Sequence, residues 1–421
     1  MAAGRSGNTL IRSLALVSTP GFYVALLGSL EVGLLMVARG YYGPWPALGA
    51  AICLAGALLA LRLLGAASPT SRALVIGLVV LCTVLPTVLG MEIRQSVGLT
   101  QEHDGMVQIE AAIDRLLRGE QIYGVDWSNT QVAQVPYGPG PNPALHHFGY
   151  FPLTVLVGIP FKVVASLLHL PFDYRAVLLA FVGGGVLAIT CLPVSADRQL
   201  MLLAALYLNP LVSIFVWSGR TDIAYLSVIM AGLAFLARRH PVLASLSFGV
   251  ALALRPFALF ALPFVGVALW RTHWRAARTV PWREVGICAA SIAAPVVLSV
   301  APFFLHDPRA FWDDVILYVS GGLPDSYPPG GYGLAGILVG FGLIGLASRL
   351  PFGLFQLAAL LPSGWWAGIR LWQRPTLGRL MAAYSLSLFV FLFFARFFND
   401  NYAGGLASLV ACIPPLRSER L

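Results

Sequence analysis

The sequence predicts an all-α, polytopic integral membrane protein, and three observations lead to that fold class. The 421 residues are 58% hydrophobic and only 11% charged, and the mean hydropathy is +0.79. Apolar runs near the length that crosses a bilayer core, about 20 helical residues, recur along the chain. Short clusters of arginine lie between these runs. We expect about 11 to 14 transmembrane or re-entrant helices, packed as a single domain over 1–421.

The predicted spans follow one another with mostly short connections. They lie near Leu14–Val37, Ala47–Leu64, Ala73–Met91, Phe151–Leu168, Ala176–Leu192, Leu200–Trp217, Ile223–Leu236, Val242–Leu254, Phe257–Trp270, Val285–Phe304, Gly333–Ala347, Phe352–Ile369, Leu380–Phe398 and Ala403–Leu416. Three runs separate two loops that we expect on the same side, so 151–170 or 200–217 is a half-span or re-entrant segment. Asn209-Pro210 interrupts the latter, and an interior proline breaks or bends a helix. The short run Gly333–Ala347 is expected at the membrane interface.

Arginine clusters predict the orientation, because cytoplasmic loops of membrane proteins carry an excess of positive charge. The clusters are Arg5 and Arg12, Arg62 and Arg72, Arg238 and Arg239, the arginines of 271–283 and 370–379, and Arg417 and Arg420. Three segments then face outward, namely 92–150, 306–333 and 396–405. We expect a multi-pass protein of a bacterial plasma (inner) membrane with one extracytoplasmic site. The net charge of +9 is dispersed among loops, which argues against a nucleic-acid partner.

The large extracytoplasmic loop at 92–150 contains a large share of the acids. They are Glu92, Glu102, Asp104, Glu110, Asp114, Glu120 and Asp126. Apolar residues recur at helical spacing from Asp104 to Arg118, which predicts a helix at the membrane surface. Asp104 at its start is either an N-cap or a general base, and partial burial can adapt a carboxylate to the second role. Glu102 and His103 stay open as alternative bases or orienting partners.

Ionisable residues at the ends of predicted spans are the next candidates. Arg220 and Asp222 enter a span, where they form either an interfacial anchor pair or part of a functional site. Arg255 interrupts a buried stretch and is expected to bind an anion. Arg396 either snorkels to lipid headgroups or binds a phosphate together with the donors of Asn401 and Tyr402.

The sequence does not indicate a metal site. His146 and His147 are adjacent on an extended loop and are expected to point apart. Asp313 and Asp314 are expected to form a solvated helix start. All five cysteines lie in apolar runs without paired spacing and are interpreted as core residues.

The loop residues resemble a known family. The order Asp104, Ala111-Ala112, Leu117, Gly119 and Tyr123, followed by Tyr150-Phe151-Pro152-Leu153, resembles the first outer loop of the GT-C superfamily of membrane glycosyltransferases. The nearest likeness is to glycosyltransferase family 87, the polyprenyl-phosphate-mannose-dependent α-mannosyltransferases. A middle block, with Asn209-Pro210, Gly219-Arg220-Thr221-Asp222, Arg238-Arg239-His240-Pro241, Arg255-Pro256 and Leu262-Pro263, is similar to that family, and Asn399–Tyr402 resembles its late outer motif.

The chain also departs from the family pattern. Two further apolar runs precede the acidic loop. Tyr150-Phe151-Pro152, Gly219-Arg220-Thr221-Asp222 and Arg255-Pro256 stand where relatives often carry Tyr-Pro-Pro, Gly-Gln-x-Asp and Lys-Pro. These differences leave the donor sugar and the acceptor open.

The resemblance implies a GT-C-like fold and an inverting hexosyltransferase of the cell envelope. A sugar, mannose in the family, would pass from a polyprenyl-phosphate donor to a glycolipid or glycan acceptor, with Asp104 as the general base. Arg396, Arg255 and Arg220, in that order, are the candidates for binding the donor phosphate. The candidates for contacting sugar or acceptor are Glu102, His103, Tyr150, Asp222, Asn401 and Tyr402, with Trp127 as a further aromatic. Because arginines can offset the charge of a monophosphate, no metal or other cofactor is expected.

Two other functions compete with the transferase. A polytopic transporter or flippase for lipid-linked sugars is the main alternative, and Glu31 inside the first apolar run could mark a polar pathway. The chain lacks the internal repeat of many transporters, and its acids cluster in loops, which favours the transferase. A catalytically silent relative that binds lipid-linked sugars is the third possibility.

Overall fold

The computed structural model describes residues 69–99, 102–135, 142–274, 280–417, 419 and 421, with a few isolated residues before position 60. The described chain is mostly α-helical. The predicted spans Leu14–Val37 and Ala47–Leu64, and with them Glu31, lie almost wholly outside the described residues.

The helices are numbered here in chain order. They are α1 (Thr70–Val97), α2 (Asp104–Leu117), α3 (Pro152–Leu156), α4 (Ile159–Leu167), α5 (Arg175–Thr190), α6 (Ala196–Tyr207), α7 (Pro210–Trp217), α8 (Asp222–Ala237), α9 (Pro241–Leu254), α10 (Leu262–Leu269), α11 (Trp282–His306), α12 (Pro308–Trp312), α13 (Tyr318–Ser320), α14 (Leu334–Gly340), α15 (Phe352–Gln373), α16 (Leu377–Phe393), α17 (Asp400–Ala411) and α18 (Ile413–Leu416). Short 3-10 helices cover Gln131–Gln134, Pro143–Leu145 and Pro256–Ala261.

Three helices of the described chain, α1, α11 and α15, are long and apolar enough to cross a membrane. The bent pair α6 and α7 would raise this number to four if it forms one span. The all-α membrane class therefore agrees with the helices, and within the described residues three or four of the expected 11 to 14 spans are helices of sufficient length and apolar composition. Several apolar runs form helices of 10–17 residues, among them α5, α8, α9 and α16, and a span takes about 20 residues.

The break predicted at Asn209-Pro210 is confirmed, and a second break occurs at Pro256. The axes of α6 and α7 differ by 53° at Asn209-Pro210. The Asn209 side chain accepts the backbone N–H of Leu211 at 3.1 Å, and Pro210 occupies the first turn of α7, where a missing N–H costs little. At the other break, α9 ends at Leu254, and Pro256 begins a 3-10 helix. Gly333–Ala347 also proves short, since α14 has only seven residues.

The helices divide into a buried centre and an exposed periphery. α8 is buried along most of its length and packs against α5 and α9, while α9 also packs against α11. By contrast, α11 and α15 expose large apolar side chains such as Leu298, Leu305 and Trp365. A soluble domain rarely exposes apolar side chains along whole helices, and a lipid-facing helix does so by design.

Short loop elements position the candidate site. β1 (Gly330–Gly331) pairs in parallel with β2 (Phe397–Phe398), which joins the loop after α13 to the connection between α16 and α17. Helix α2 packs against α3 and against the 3-10 helix Gln131–Gln134. The four cysteines that the structure describes, Cys82, Cys191, Cys288 and Cys412, form no disulfide with one another.

Candidate functional site

One cavity of about 600 Å³ brings together the three segments that the sequence assigned to the outer side. That volume lies within the range of about 300–1,000 Å³ for small-ligand sites. Its lining includes Glu102, His103, Asp104, Gly105, Gln108, His147, Tyr150, Ser218, Arg220, Arg255, Tyr318, Tyr327, Tyr332, Phe397, Asn399, Asp400, Asn401 and Tyr402. Asp222 is buried behind this wall, where it contacts two lining residues.

Helix α2 presents Asp104 to the cavity. The predicted helix is present, but His103, and not Asp104, is its N-cap, and Asp104 is the first helical residue. The two oxygens of Asp104 accept hydrogen bonds from the backbone N–H of Gly105 at 2.7 Å and from the Asn142 side chain at 2.8 Å. A carboxylate has about four lone-pair positions, so further positions stay open to a substrate hydroxyl.

His103 shares its Nδ1 between two neighbours. This atom lies 3.0 Å from the Gly105 backbone N, as an acceptor, and 3.0 Å from the Asp104 carboxylate. Burial lowers the pKa of His103 despite the nearby Asp104, and the positive charges of Arg220 and Arg255 act in the same direction as burial. The ring is therefore neutral at pH 7, and the Gly105 N–H bond satisfies Nδ1 in that state.

Two glycines allow the walls of the cavity to approach each other. A Cβ atom on Gly105 would lie 1.8 Å from the Tyr150 hydroxyl, and one on Gly219 would lie 2.0 Å from the sulfur of Met106. Gly219 also has φ +84°, a left-handed conformation that favours glycine. Between these contacts the backbone N–H of His103 donates to the Ser218 carbonyl at 2.8 Å. The segment carrying Asp104 is thus pressed against the segment carrying Arg220.

Two arginines line the cavity, each paired with one acid. Arg220 donates to Asp400 at 2.6 Å and lies 4.6 Å above the ring of Phe215. Arg255 donates to Asp222 at 3.3 Å, and the Asn401 amide donates to the same Asp222 oxygen at 2.8 Å. Arg220 and Asp222, considered from the sequence as an anchor pair, therefore bind different partners.

We call Asp104, Arg220, Asp222, Arg255 and Asp400 the cavity cluster. Its hydrogen-bonding capacity is only partly used among the described residues. The Nε atoms of Arg220 and Arg255, one oxygen of Asp222 and the hydroxyl of Thr221 are buried and have no hydrogen-bond partner there. Buried polar groups in proteins are nearly always satisfied, so these atoms represent unused hydrogen-bonding capacity next to the cavity.

Arg396 does not line the cavity. Its Nε donates to the Tyr327 carbonyl at 2.7 Å, and its Nη1 donates to the Ser348 carbonyl at 2.9 Å. These bonds secure the loop that carries β1, so the first-ranked phosphate candidate has a structural position. Two backbone carbonyls, those of Tyr327 and Ser348, occupy two of its guanidinium nitrogens. Trp127 is likewise fully buried outside the cavity lining.

A second group of charges lies next to the cavity and was not predicted from the sequence. We call Arg94, Glu102, Glu110, Asp173 and Arg175 the buried cluster. Arg94 binds both oxygens of Glu110, at 3.0 and 2.6 Å, and Asp173 at 3.1 Å. Arg175 binds both oxygens of Asp173, at 2.9 and 2.7 Å, and Glu102 at 3.3 Å.

The buried cluster changes the role expected for Glu102. Although Glu102 borders the cavity, its side chain is only 2% exposed and its carboxylate faces Arg175. Burial raises the pKa of Glu110 against the effect of Arg94, whereas the bonds from Arg175 overcome burial and lower the pKa of Asp173. Glu102 and Glu110 therefore act as structural acids of the loop, which leaves Asp104 as the cavity's accessible carboxylate on α2.

His147 joins two loops at the rim of the cavity. Its ring nitrogens contact Asp314 at 2.8 Å and Asp325 at 3.0 Å, and the ring stacks on Tyr318. Asp314 is buried and also accepts the Gly124 N–H at 2.8 Å, so the expectation of a solvated helix start is wrong for this residue. An aspartate whose partner lies 167 residues away in the sequence leaves no local sequence signal.

Tyr150 and Tyr402 also line the cavity. The Arg255 guanidinium lies 5.4 Å from the centre of the Tyr150 ring. Burial raises the pKa of the Tyr150 hydroxyl, so this group stays protonated at neutral pH. Tyr402 packs edge-on against Phe257, with ring centres 4.8 Å apart. These aromatic groups provide flat apolar faces beside the charged atoms.

The donor set favours binding of an oxyanion. Within the described residues no group of three or more His, Cys, Asp and Glu side chains is arranged to hold a metal ion. His146 and His147 face different acids, Asp126 and the Asp314–Asp325 pair. The cavity instead combines guanidinium groups, an amide, tyrosines and the carboxylates of Asp104 and Asp400.

Comparisons with known proteins do not assign the chain to a family. No protein-family profile matches the sequence, and no curated protein matches it significantly. What the chain does must therefore be inferred from its own residues.

Proposed function

We propose that the protein is a membrane glycosyltransferase that transfers a sugar from a polyprenyl-phosphate donor to a glycolipid or glycan acceptor. One observation carries the proposal: an accessible carboxylate on α2 and two partly bonded guanidinium groups line the same cavity, at the end of apolar helices. The likeness of the loop and middle motifs to glycosyltransferase family 87 suggests the same reaction.

The carboxylate of Asp104 serves as the general base. It accepts the proton of an acceptor hydroxyl while the hydroxyl oxygen attacks the anomeric carbon of the donor sugar. The bond between that carbon and the phosphate oxygen breaks, and the phosphate leaves with the electron pair. Attack from the side opposite the phosphate inverts the configuration. The bonds from Gly105 and Asn142 orient the carboxylate for this step.

The guanidinium groups of Arg220 and Arg255 bind the leaving phosphate. Each arginine uses one terminal nitrogen for an acid and keeps further N–H groups, because a guanidinium has five. Charge-assisted hydrogen bonds to phosphate strengthen as negative charge develops on the leaving oxygen. Asp222 and Asp400 hold the two guanidinium groups in place. Asn401, Tyr402 and Tyr150 contact the sugar.

The membrane location follows from the donor. A polyprenyl chain is apolar and partitions into the bilayer, and helices such as α11 and α15 expose apolar side chains to such an environment. The arginine-rich loops suggest that the cavity faces the extracytoplasmic side of a bacterial plasma membrane. A flippase for lipid-linked sugars is the competing function, and it would use the same cavity without the base.

The change Asp104→Asn tests the proposal. General bases typically contribute about 10²–10⁴-fold, so we expect sugar transfer to fall by that factor while binding of polyprenyl-phosphate mannose to the purified protein persists. The new amide has one oxygen for the two donors that now bind Asp104, the Gly105 N–H and the Asn142 amide, so Asp104→Ala serves as a second variant. Asp114→Asn is the matched control, since Asp114 lies on the same helix and is 43% exposed.

Cells provide a readout that does not require the acceptor to be identified first. Mass spectrometry compares membrane lipids and envelope glycans of cells lacking the gene and cells complemented with each variant. We expect the parent and Asp114→Asn to restore a missing hexose or pentose, and the Asp104 variants to fail. Transport of a lipid-linked sugar that survives Asp104→Asn, together with no transferase activity in the parent, would instead establish the flippase.

A further inference from the structure

We propose that Arg175 is a positioning residue that fixes the separation between Asp104 and Arg220. This inference rests on the proposed function, because it assigns those two residues to base and phosphate binding. Arg175 is 1% exposed and does not line the cavity, so it does not touch a substrate there. It acts through the two chain segments that it joins.

The guanidinium of Arg175 bonds to four separate parts of the chain. Nε and Nη2 donate to the two oxygens of Asp173 at the start of α5. Nη2 also donates to the Gly90 carbonyl in α1 at 3.1 Å and to Glu102 at 3.3 Å. Nη1 donates to the Trp217 carbonyl at 3.0 Å. All three guanidinium nitrogens therefore have partners.

Two of these acceptors lie beside the residues that the reaction uses. Glu102 precedes Asp104 by two positions, and Trp217 precedes Arg220 by three. The segments also bond directly through the His103 N–H and the Ser218 carbonyl, at 2.8 Å. Arg175 thus bridges two segments. One carries the base, and the other carries Arg220, which donates hydrogen bonds to the phosphate. A small shift of its planar guanidinium moves one segment relative to the other.

Stability alone is a weak reason for such an arrangement. Removing charges from water costs several kcal/mol per ion, and apolar residues of similar volume often stabilise a core as well or better. A planar guanidinium with fixed donor directions sets geometry in a way that an apolar side chain does not. In catalysis that geometry matters, because a displacement of about 1 Å can lower a rate about 10²-fold.

The test measures transfer from polyprenyl-phosphate mannose by the full-length protein in proteoliposomes, with a lipid extract of cells lacking the gene as acceptor. For Arg175→Lys we expect kcat to fall about 10- to 100-fold while the donor KM changes less than about threefold. Arg396→Lys is the matched control. Arg396 is also buried and also bonds to backbone carbonyls, but these belong to Tyr327 and Ser348 and not to the segments that carry Asp104 and Arg220.

A second variant displaces Arg175 without changing its charge. In Gly90→Ala the new Cβ would lie 2.9 Å from Nη1 of Arg175, whereas in Gly77→Ala, on the same helix α1, the new Cβ would meet no atom within 4 Å. We expect a smaller fall in kcat for Gly90→Ala and none for Gly77→Ala. Unchanged kcat in both Arg175→Lys and Gly90→Ala would overturn the proposal, as would equal losses in Arg175→Lys and Arg396→Lys.

Hydrogen–deuterium exchange gives a readout that needs no activity. In Arg175→Lys we expect faster exchange in peptides covering 102–106 and 216–221, and in Arg396→Lys in peptides covering 326–330 and 346–350. If the parent protein transfers no sugar, the proposed function fails. Hydrogen–deuterium exchange still decides whether Arg175 holds these two segments together. Unchanged exchange at 102–106 and 216–221 in Arg175→Lys would refute the positioning role.

Discussion

The buried cluster and the cavity cluster contain the same kinds of charge, but they differ in how completely that charge is paired. In the buried cluster Arg94 and Arg175 bind three carboxylates and two backbone carbonyls. In the cavity cluster each arginine bonds to one acid, and both Nε atoms are without a partner among the described residues. The two clusters meet where His103 bonds to Ser218.

This difference distinguishes charges that are fully used within the fold from charges that can still bind a ligand. A closed network has no capacity left for a ligand and resists change, because the loss of one member leaves a buried charge. An open network costs stability in the free protein, and a ligand that completes it recovers that cost on binding. Pairing therefore identifies candidate ligand-binding arginines better than position in the sequence does, as Arg396 illustrates.

Breaking the closed network should have the largest effect on stability. Glu110→Ala removes the main partner of Arg94, and loss of one member of a buried ion pair typically costs about 3–5 kcal/mol. We expect a clear fall in the thermal unfolding midpoint in detergent, measured by scanning fluorimetry. Glu120→Gln is the control on the exposed Arg118 pair and should leave the midpoint unchanged. Equal midpoints in both variants would mean that the network adds nothing to stability.

Breaking the open network should change binding more than stability. Arg220→Gln leaves Asp400 half exposed and hydrated, so the unfolding midpoint should stay close to that of the parent. Loss of one charge-assisted bond to phosphate should weaken binding of polyprenyl-phosphate mannose about 10- to 100-fold. Isothermal titration calorimetry in detergent measures this. Arg118→Gln, the same change far from the cavity, should bind normally, and a Kd for Arg220→Gln equal to the parent's would exclude that arginine.

Changing His147 should have the smallest effect on stability, and that effect should depend on pH. Burial lowers the pKa of His147, but the bonds to Asp314 and Asp325 outweigh burial and raise it above its ordinary value. A raised pKa means that the charged ring stabilises the folded state below the ordinary value of about 6.5, and that this contribution is lost as the pH rises through the folded-state pKa.

The unfolding midpoint of the parent should therefore fall slightly as the pH rises above about 6.5, and His147→Gln should lack that component. His146→Gln, which changes the exposed neighbour, should keep it. A pH profile of His147→Gln that matches the parent's would show that the ring does not titrate between the two carboxylates.

The sequence predicts those features that depend on local pattern. Apolar spacing predicted α2, which runs from Asp104 to Leu117, and the prediction of 223–236 as helical agrees with α8 at Asp222–Ala237. Proline predicted the bend at Asn209-Pro210. The grouping of charged and aromatic residues in three loops also indicated which segments line one cavity.

The pairing of charges was beyond the sequence. Arg94 lies 16 positions from Glu110 and 79 from Asp173, and nothing in the local sequence identifies these two acids as its partners. The same holds for Arg396, whose direction depends on carbonyls that are presented by the loop after α13 and by Ser348. Side-chain direction at such positions follows from tertiary packing. For this reason Arg396 was ranked first among the phosphate candidates, although it does not line the cavity.

The proposed function requires one cavity that holds the base on one side of a lipid-linked sugar and the phosphate-binding arginines on the other. An electron cryomicroscopy structure of the protein in a nanodisc with polyprenyl-phosphate mannose tests it most directly. We expect a phosphate within hydrogen-bonding distance of Arg220 or Arg255 and an anomeric carbon that faces Asp104. A phosphate bound outside this cavity, or a sugar turned away from Asp104, would contradict it.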